Sequence, residues 1–254
     1  MDIDRATVLH LPGESPLHVT APEVKVVAAL LVVLCVVATP REQFWAFGGY
    51  AVLVLCLVLL ARVPLRWMAA RSLIETPFLV LAILLPFTAG GVETQVWGGA
   101  VSVEGLYAGA NIVVKGTLGV WVSLLLAATT SASELLTGMR RLRVPALVTT
   151  IASLMLRYVA VLVAEARRMR LARISRGDDP RWWSQTGATA RGVGTLFVRS
   201  YERGERVHLA MVSRGGTGSL PDAEQRRTPV SAWFEGLAPV AVTASVMAVA
   251  LWTG

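Results

Sequence analysis

The hydrophobic pattern divides the chain into five uniformly apolar runs and one long amphipathic interval. The runs at 24–39, 44–61, 68–89, 105–130 and 229–252 carry apolar residues on every side of a helix. A helix apolar all round is one surrounded by lipid or by other apolar helices. The first run is entered from Pro22 and closed by Pro40. It is short for a span, and Lys25 can snorkel to lengthen it. The second has Trp45 and Tyr50 near its start and is stopped by Arg62, Pro64 and Arg66. The third carries Arg71 and Glu75 one helical turn apart, then Pro77 and Pro86. A glycine-rich stretch at 90–104 follows, with two acids and no Lys or Arg, and the fourth run contains Lys115. No fixed-period repeat covers the chain.

The interval 131–228 reads as helix of a different kind. Residues 146–174 begin apolar (Leu147, Ile151, Leu154, Tyr158, Leu162) and end basic (Arg167, Arg168, Arg170, Arg173). Pro145 suits a helix start, and Gly177 before Asp178-Asp179-Pro180 is a strong stop. A second helix over 188–214 has a stripe at Val193, Leu196, Phe197, Ser200, Gly204, Val207 and Met211, spaced by three and four, and stops at Gly215-Gly216. Residues 133–141 predict a shorter helix before this hairpin. The predicted architecture is an all-α polytopic membrane protein. Residues 1–130 hold an N-terminal segment and four spans, 131–228 a module of long amphipathic helices, and 229–254 the last span.

Charge fixes an orientation for that pattern. Of 254 residues 54% are hydrophobic and only 16% charged, yet the net charge is +7. The interval 131–228 holds 17 Arg or Lys against 8 Asp or Glu, more than the whole chain's excess. By the positive-inside tendency it belongs in the cytoplasm. Five spans then put the N-terminus inside and the C-terminus outside. The connection bearing Arg62, Arg66 and Arg71 falls inside and 90–104 outside, while Arg41, next to Glu42, is the exception. The first twenty residues lack the apolar core of a signal peptide. Cys35 and Cys56 lie in apolar runs at depths that differ by about 12 Å, which predicts packing rather than a disulfide.

Chemistry-bearing constellations are few. His10, His18 and His208 are scattered, and no His, Cys and carboxylate set has metal-ligand spacing. There is no phosphate-cradling loop, since Lys115-Gly116-Thr117 runs in the wrong order inside a span. The chain is thus expected to be no enzyme and to hold no cofactor or metal. Arg181-Trp182-Trp183 suits a membrane-interface anchor better than nucleic acid. The strongest internal signal is a repeated ending. One helix closes Ala172-Arg173-Ile174-Ser175-Arg176-Gly177, the next Ala210-Met211-Val212-Ser213-Arg214-Gly215. Each puts Ala and Arg four apart on one face at a helix C-terminus. Arg complements the dipole there and Gly ends the helix, which explains either ending alone. A pair also fits a doubled docking surface, in which a small Ala permits close approach and Arg offers a planar fork to a partner carboxylate.

These endings, with Arg157-Tyr158, Phe197-Val198-Arg199-Ser200-Tyr201-Glu202-Arg203 and Leu142-Arg143-Val144-Pro145, resemble the transmembrane T component of energy-coupling factor (ECF) transporters, in its cobalt-type, CbiQ/EcfT-like branch. The order of elements is similar as well. The resemblance implies a non-catalytic coupling subunit in the cytoplasmic membrane of a prokaryote. Its partners would be two ABC-type ATPases, which hydrolyse ATP, and a substrate-capture (S-type) membrane protein for cobalt or nickel. Ala172, Arg176 and Gly177, with Ala210, Arg214 and Gly215, would end the helices that dock on the ATPases. After the second ending the family places an aromatic and then a glycine, where this chain has Gly216-Thr217-Gly218.

The charges inside spans leave a second reading open. Intramembrane charges are functional hypotheses by default. Arg71 and Glu75 form an i,i+4 pair near the predicted inner interface, which suits a structural role, and Lys115 could meet the capture subunit or snorkel. A self-contained secondary transporter would use these three as an ion path, but would leave the long basic module unexplained and shows no inverted repeat.

Overall fold

In the computed structural model, the described residues are 10–11, 13, 15–88, 93–96, 99–177, 186–216 and 228–253. They form α1 (Pro16–Val19), α2 (Pro22–Ala38), α3 (Phe44–Leu60), α4 (Leu65–Ser72), a 3-10 turn (Leu73–Glu75), α5 (Thr76–Thr88), β1 (Glu93–Val96), β2 (Gly99–Ser102), α6 (Val103–Thr129), α7 (Ala132–Arg141), α8 (Ala146–Ile174), α9 (Thr186–Ser213) and α10 (Val230–Thr253). The chain divides into two compact units, 1–138 with 227–254, and 139–226.

The first unit is a bundle around α6, against which α2, α3, α4 and α5 all pack, while α10 lies along α2 and touches α3. Four helical segments have the length and composition to cross a bilayer: Leu65–Phe87, Val103–Thr129, Ala146–Ile174 and Val230–Thr253. α2 and α3, 17 residues each, reach only about 25 Å. α3 is apolar on all sides and buries Ala46, Phe47, Tyr50, Val54 and Val58, a stripe at helical spacing. Leu55, Leu59 and Leu60 face outward. Lipid is as apolar as leucine, so shape and hydrogen bonds must hold such helices together.

Those hydrogen bonds cluster at helix ends. The last carbonyls of a helix have no partner within it. At one end of the bundle, Lys115 Nζ on α6 donates to Val37 O at 2.9 Å and Thr39 O at 2.8 Å, closing the end of α2. Asn111 Nδ2 donates to Arg41 O in the α2–α3 loop at 3.0 Å. Thr39 Oγ1 shares a proton with Tyr50 Oη at 2.8 Å. At the other end, Lys25 Nζ on α2 donates to Thr129 O, the last residue of α6, at 2.9 Å, and to His18 O at 3.1 Å. The antiparallel pair α2–α6 is therefore stapled at both ends by a lysine of one helix on the C-terminal carbonyls of the other. Thr228 donates to Glu23, tying the approach to α10 to the start of α2.

Three local features differ from the sequence expectation. The third run is broken: α4 gives way to a 3-10 turn before α5, and Arg71 and Glu75 meet that turn instead of a continuous α-helix. The glycine-rich stretch contains a two-stranded antiparallel ribbon pairing Glu93 with Ser102 and Val96 with Gly99. α8 is itself long and apolar enough to cross a bilayer, because its first half is so apolar. Cys35 and Cys56 are free thiols; Cys35 is packed in the bundle, whereas Cys56 is exposed.

Candidate coupling site

The second unit is built on α8 and α9. α7 stops in a turn where Val144 N reaches back to Met139 O at 3.1 Å and Arg143 takes φ 63°. Pro145 then starts α8. Glu165 on α8 binds the hairpin together. It accepts from Arg168 on its own helix and from Arg199 on α9, each at 2.6 Å. Arg173 Nη1 donates to Thr189 Oγ1 at 3.3 Å, so the end of α8 lies beside the start of α9. A cleft of about 170 Å³ runs between the helices, lined by Val161, Leu162, Glu165, Leu196, Arg199 and Arg206 among others. Beyond these links both helices leave apolar side chains exposed, including Leu147, Ile151 and Met155 on α8 and Phe197, Tyr201 and Leu209 on α9.

The two repeated endings adopt one geometry. Gly177 has φ 87° and Gly215 φ 78°, the left-handed conformation that ends a helix and that glycine adopts without a Cβ clash. In each, the arginine amide bonds three residues back: Arg176 N to Arg173 O at 2.9 Å, Arg214 N to Met211 O at 3.2 Å. That tightening leaves the alanine carbonyl without the amide an α-helix would give it. The serine hydroxyl takes its place, Ser175 Oγ donating to Ala172 O and Ser213 Oγ to Ala210 O, both at 3.0 Å. Gly216 N closes the second cap on Met211 O at 2.8 Å. Ala172, Arg176, Ala210 and Arg214 are all exposed. The serines' part was missed in the sequence, though their recurrence at the same place in both endings was the available signal. α9 has 28 residues, which at ~1.5 Å per residue separates the two endings by about 40 Å along its axis.

Residues 13–226, which contain both endings, match the family model CbiQ, described as cobalt transport protein. The chain belongs to the CbiQ family. It is 32% identical over 232 residues to the energy-coupling factor transporter transmembrane protein EcfT of Thermanaerovibrio acidaminovorans, covering 82% of this chain and 83% of that protein. The cobalt transport protein CbiQ of Rhodobacter capsulatus is 32% identical over 163 residues, 63% of this chain and 64% of its own. A putative fused cobalt transport protein, CbiMQ of Methanocorpusculum labreanum, is 26% identical over 231 residues, 86% of this chain and 38% of its own. The family and the apolar helices make this a membrane protein of the ECF transporter family.

The intramembrane charges of this CbiQ-family chain fall into separate settings. Lys115 is committed to the end of α2, as described, and lies 5.6 Å from the Phe47 ring. Glu75 is buried, with Oε2 accepting from Thr117 at 2.8 Å and Oε1 meeting no partner among the described residues. Arg71 stacks over Trp67 at 4.1 Å. Trp121 Nε1 donates to Ser72 Oγ at 2.9 Å, so α4 and its 3-10 turn are held to α6 by polar contacts. Among the described residues no three His, Cys, Asp or Glu side chains converge as a metal site.

Proposed function

We propose that this chain is the coupling subunit of an ATP-driven ECF-type uptake transporter, linking two ABC ATPases to a separate membrane protein that captures substrate. The observation that carries this reading is the pair of matching caps, Ala172/Arg176/Gly177 and Ala210/Arg214/Gly215, exposed at helix ends about 40 Å apart. One partner would need one such site, and two copies of one partner would need two alike. Each ending would present a guanidinium, its backbone fixed by the cap, to a carboxylate in an ATPase groove. The exposed apolar faces of α8 and α9 would meet the capture protein or the bilayer.

The reading requires that α8 lie on the inner side rather than span, despite its apolar first half. Arg157 sits near its middle, Arg167, Arg168, Arg170 and Arg173 crowd its end, and α9 carries Arg191, Arg199, Arg203 and Arg206. A spanning α8 would leave Arg157 inside the bilayer and put the others outside, against the positive-inside tendency. The relatives named for cobalt support cobalt, or chemically similar nickel, as cargo. The capture protein would choose it. The commitment of Lys115 and Glu75 to helix-binding contacts counts against an ion path through this chain.

The test is reconstitution. The purified chain should show no ATP turnover, and turnover with metal uptake should appear only when the ATPases and the capture protein are added. ATP hydrolysis intrinsic to the chain, or uptake by it alone in vesicles, would refute the proposal.

A further inference from the structure

A cavity of about 230 Å³ opens within the membrane unit, among the ends of four helices that lie on one side of the bundle. Its walls are the first three turns of α2 and α10, the C-terminal turns of α3 and α6, and α1. Lys25, Thr20, Thr129 and Glu235 line it, and so do Val32, Leu57, Val122 and Pro239. The polar residues sit at the helix ends. Val32 and Val122 are seven residues further in from Lys25 and Thr129, about 10 Å deeper. The cavity is thus charged at the level of lipid headgroups and apolar at the level of acyl chains. On the topology proposed above this is the inner leaflet, although the argument holds for either side.

Two features inside it point to a ligand amine. Glu235 lies about one and a half turns into α10, exposed, and its carboxylate finds no partner among the described residues. An unpaired carboxylate on a cavity wall favours a cationic partner. Pro239, four residues on in the same wall, has no N–H. The Glu235 carbonyl therefore lacks its helical donor as well. Glu235 thus lines the cavity with neither its carboxylate nor its carbonyl paired as in a regular helix. Their position is fixed, because α10 meets α2 so closely at Gly236 that an added Cβ would clash with the Val24 side chain. Across the cavity, the Lys25 ammonium has three donors, of which His18 O and Thr129 O take two.

We infer that this cavity holds one aminophospholipid, of the phosphatidylethanolamine class. Its ammonium is taken by the Glu235 carboxylate and carbonyl, its phosphate by the third donor of Lys25, and one acyl chain runs between α2, α3 and α6. A choline headgroup has no N–H to give Glu235. A glycerol headgroup has no positive charge.

The test is native mass spectrometry of the full chain in detergent, offered phosphatidylethanolamine, phosphatidylcholine and phosphatidylglycerol with identical acyl chains. Wild type should retain one phosphatidylethanolamine over either competitor by about tenfold, the worth of one good charge-assisted hydrogen bond. Glu235→Gln should bring the three lipids near parity. Glu104→Gln, which removes an exposed acid at the start of α6, should keep the preference. Ala29→Phe, which fills the cavity, should lose the retained lipid. Water-soluble glycerophosphoethanolamine should not displace it. Equal retention of all three lipids by wild type, a preference surviving Glu235→Gln, or displacement by the soluble headgroup would overturn the inference. None of these outcomes depends on ATPase coupling.

Discussion

Single side chains at helix ends carry much of the specificity of this bundle. Lys115 is the clearest. It reads in the sequence as a charge stranded in a span, and the structure shows a clamp on the last carbonyls of α2. Its partners lie 76 and 78 residues away, so no local pattern could have named them. Lys115→Met should strand those carbonyls and cost roughly 1–3 kcal/mol. This would be read as a lower melting midpoint in detergent, with uptake by the assembled transporter retained at permissive temperature. Loss of uptake at unchanged stability would favour the ion-path reading. A second residue-scale device starts α7. Ser131 and Glu134 form a reciprocal capping box, Ser131 N donating to Glu134 Oε2 at 2.7 Å and Glu134 N to Ser131 Oγ at 3.3 Å. The Ser131 amide, more than the nearby Lys25, holds the Glu134 carboxyl below the usual carboxylate range. A depressed folded value stabilises above the ordinary range and is lost as pH falls through the lowered one. Wild type should therefore melt above Glu134→Gln at neutral pH, and the gap should close on acidification. A gap constant down to strongly acid pH would contradict this account of the cap.

At the scale of elements, the sequence was most informative where punctuation is local. Pro145 starts α8, and glycines 177 and 215 stop α8 and α9; of the stripe on α9, Leu196, Ser200, Val207 and Met211 are half-buried while Val193, Phe197 and Gly204 are exposed. It was least informative where geometry departs from the ideal without a marker residue. The 3-10 turn Leu73–Glu75 did have one, Pro77, which has no N–H to offer the Leu73 carbonyl. The turns after α3 and α7 place arginines, Arg62 at φ 55° and Arg143 at φ 63°, where glycine is usual. Both turns read Arg-Val-Pro, at 62–64 and 143–145, a repeat that the sequence offered and that went unused. At the two endings, spacing marked the matched Ala, Arg and Gly, whose docking role rests on the family resemblance, but not the hydroxyl-to-carbonyl bonds that make the two caps alike. The caps themselves can be tested. Nothing lies within 4 Å of a Cβ added at Gly177 or Gly215, so Gly215→Ala would act through backbone strain alone, about 1 kcal/mol. Gly215→Asn, which tolerates the left-handed region, should bind the ATPases better than Gly215→Ala. Equal binding by both would mean the cap does not position Arg214.

The whole molecule must place its basic hairpin on one side of the membrane. In a background free of Cys35 and Cys56, Glu42→Cys in the α2–α3 loop should react with an impermeant thiol reagent from outside, and Arg170→Cys only after lysis. Labelling of both from one side would overturn the proposed topology. Coupling itself makes a further demand, that two like partners be held by two like sites. A partly buried arginine–carboxylate contact, cut by removing one side, costs about 2–5 kcal/mol, much of it from the stranded acid. Arg176→Lys and Arg214→Lys should rescue only in part, since lysine lacks the fork. The most direct measurement is the number of ATPase copies retained by the chain, read as complex mass after co-purification. The account predicts two for wild type, a substantial loss for Arg176→Ala or Arg214→Ala alone, and none for the double variant, while Arg203→Ala, in the middle of α9, keeps two. A double variant that retains both ATPases and transports at the wild-type rate would make the two endings ordinary helix caps and contradict the coupling role.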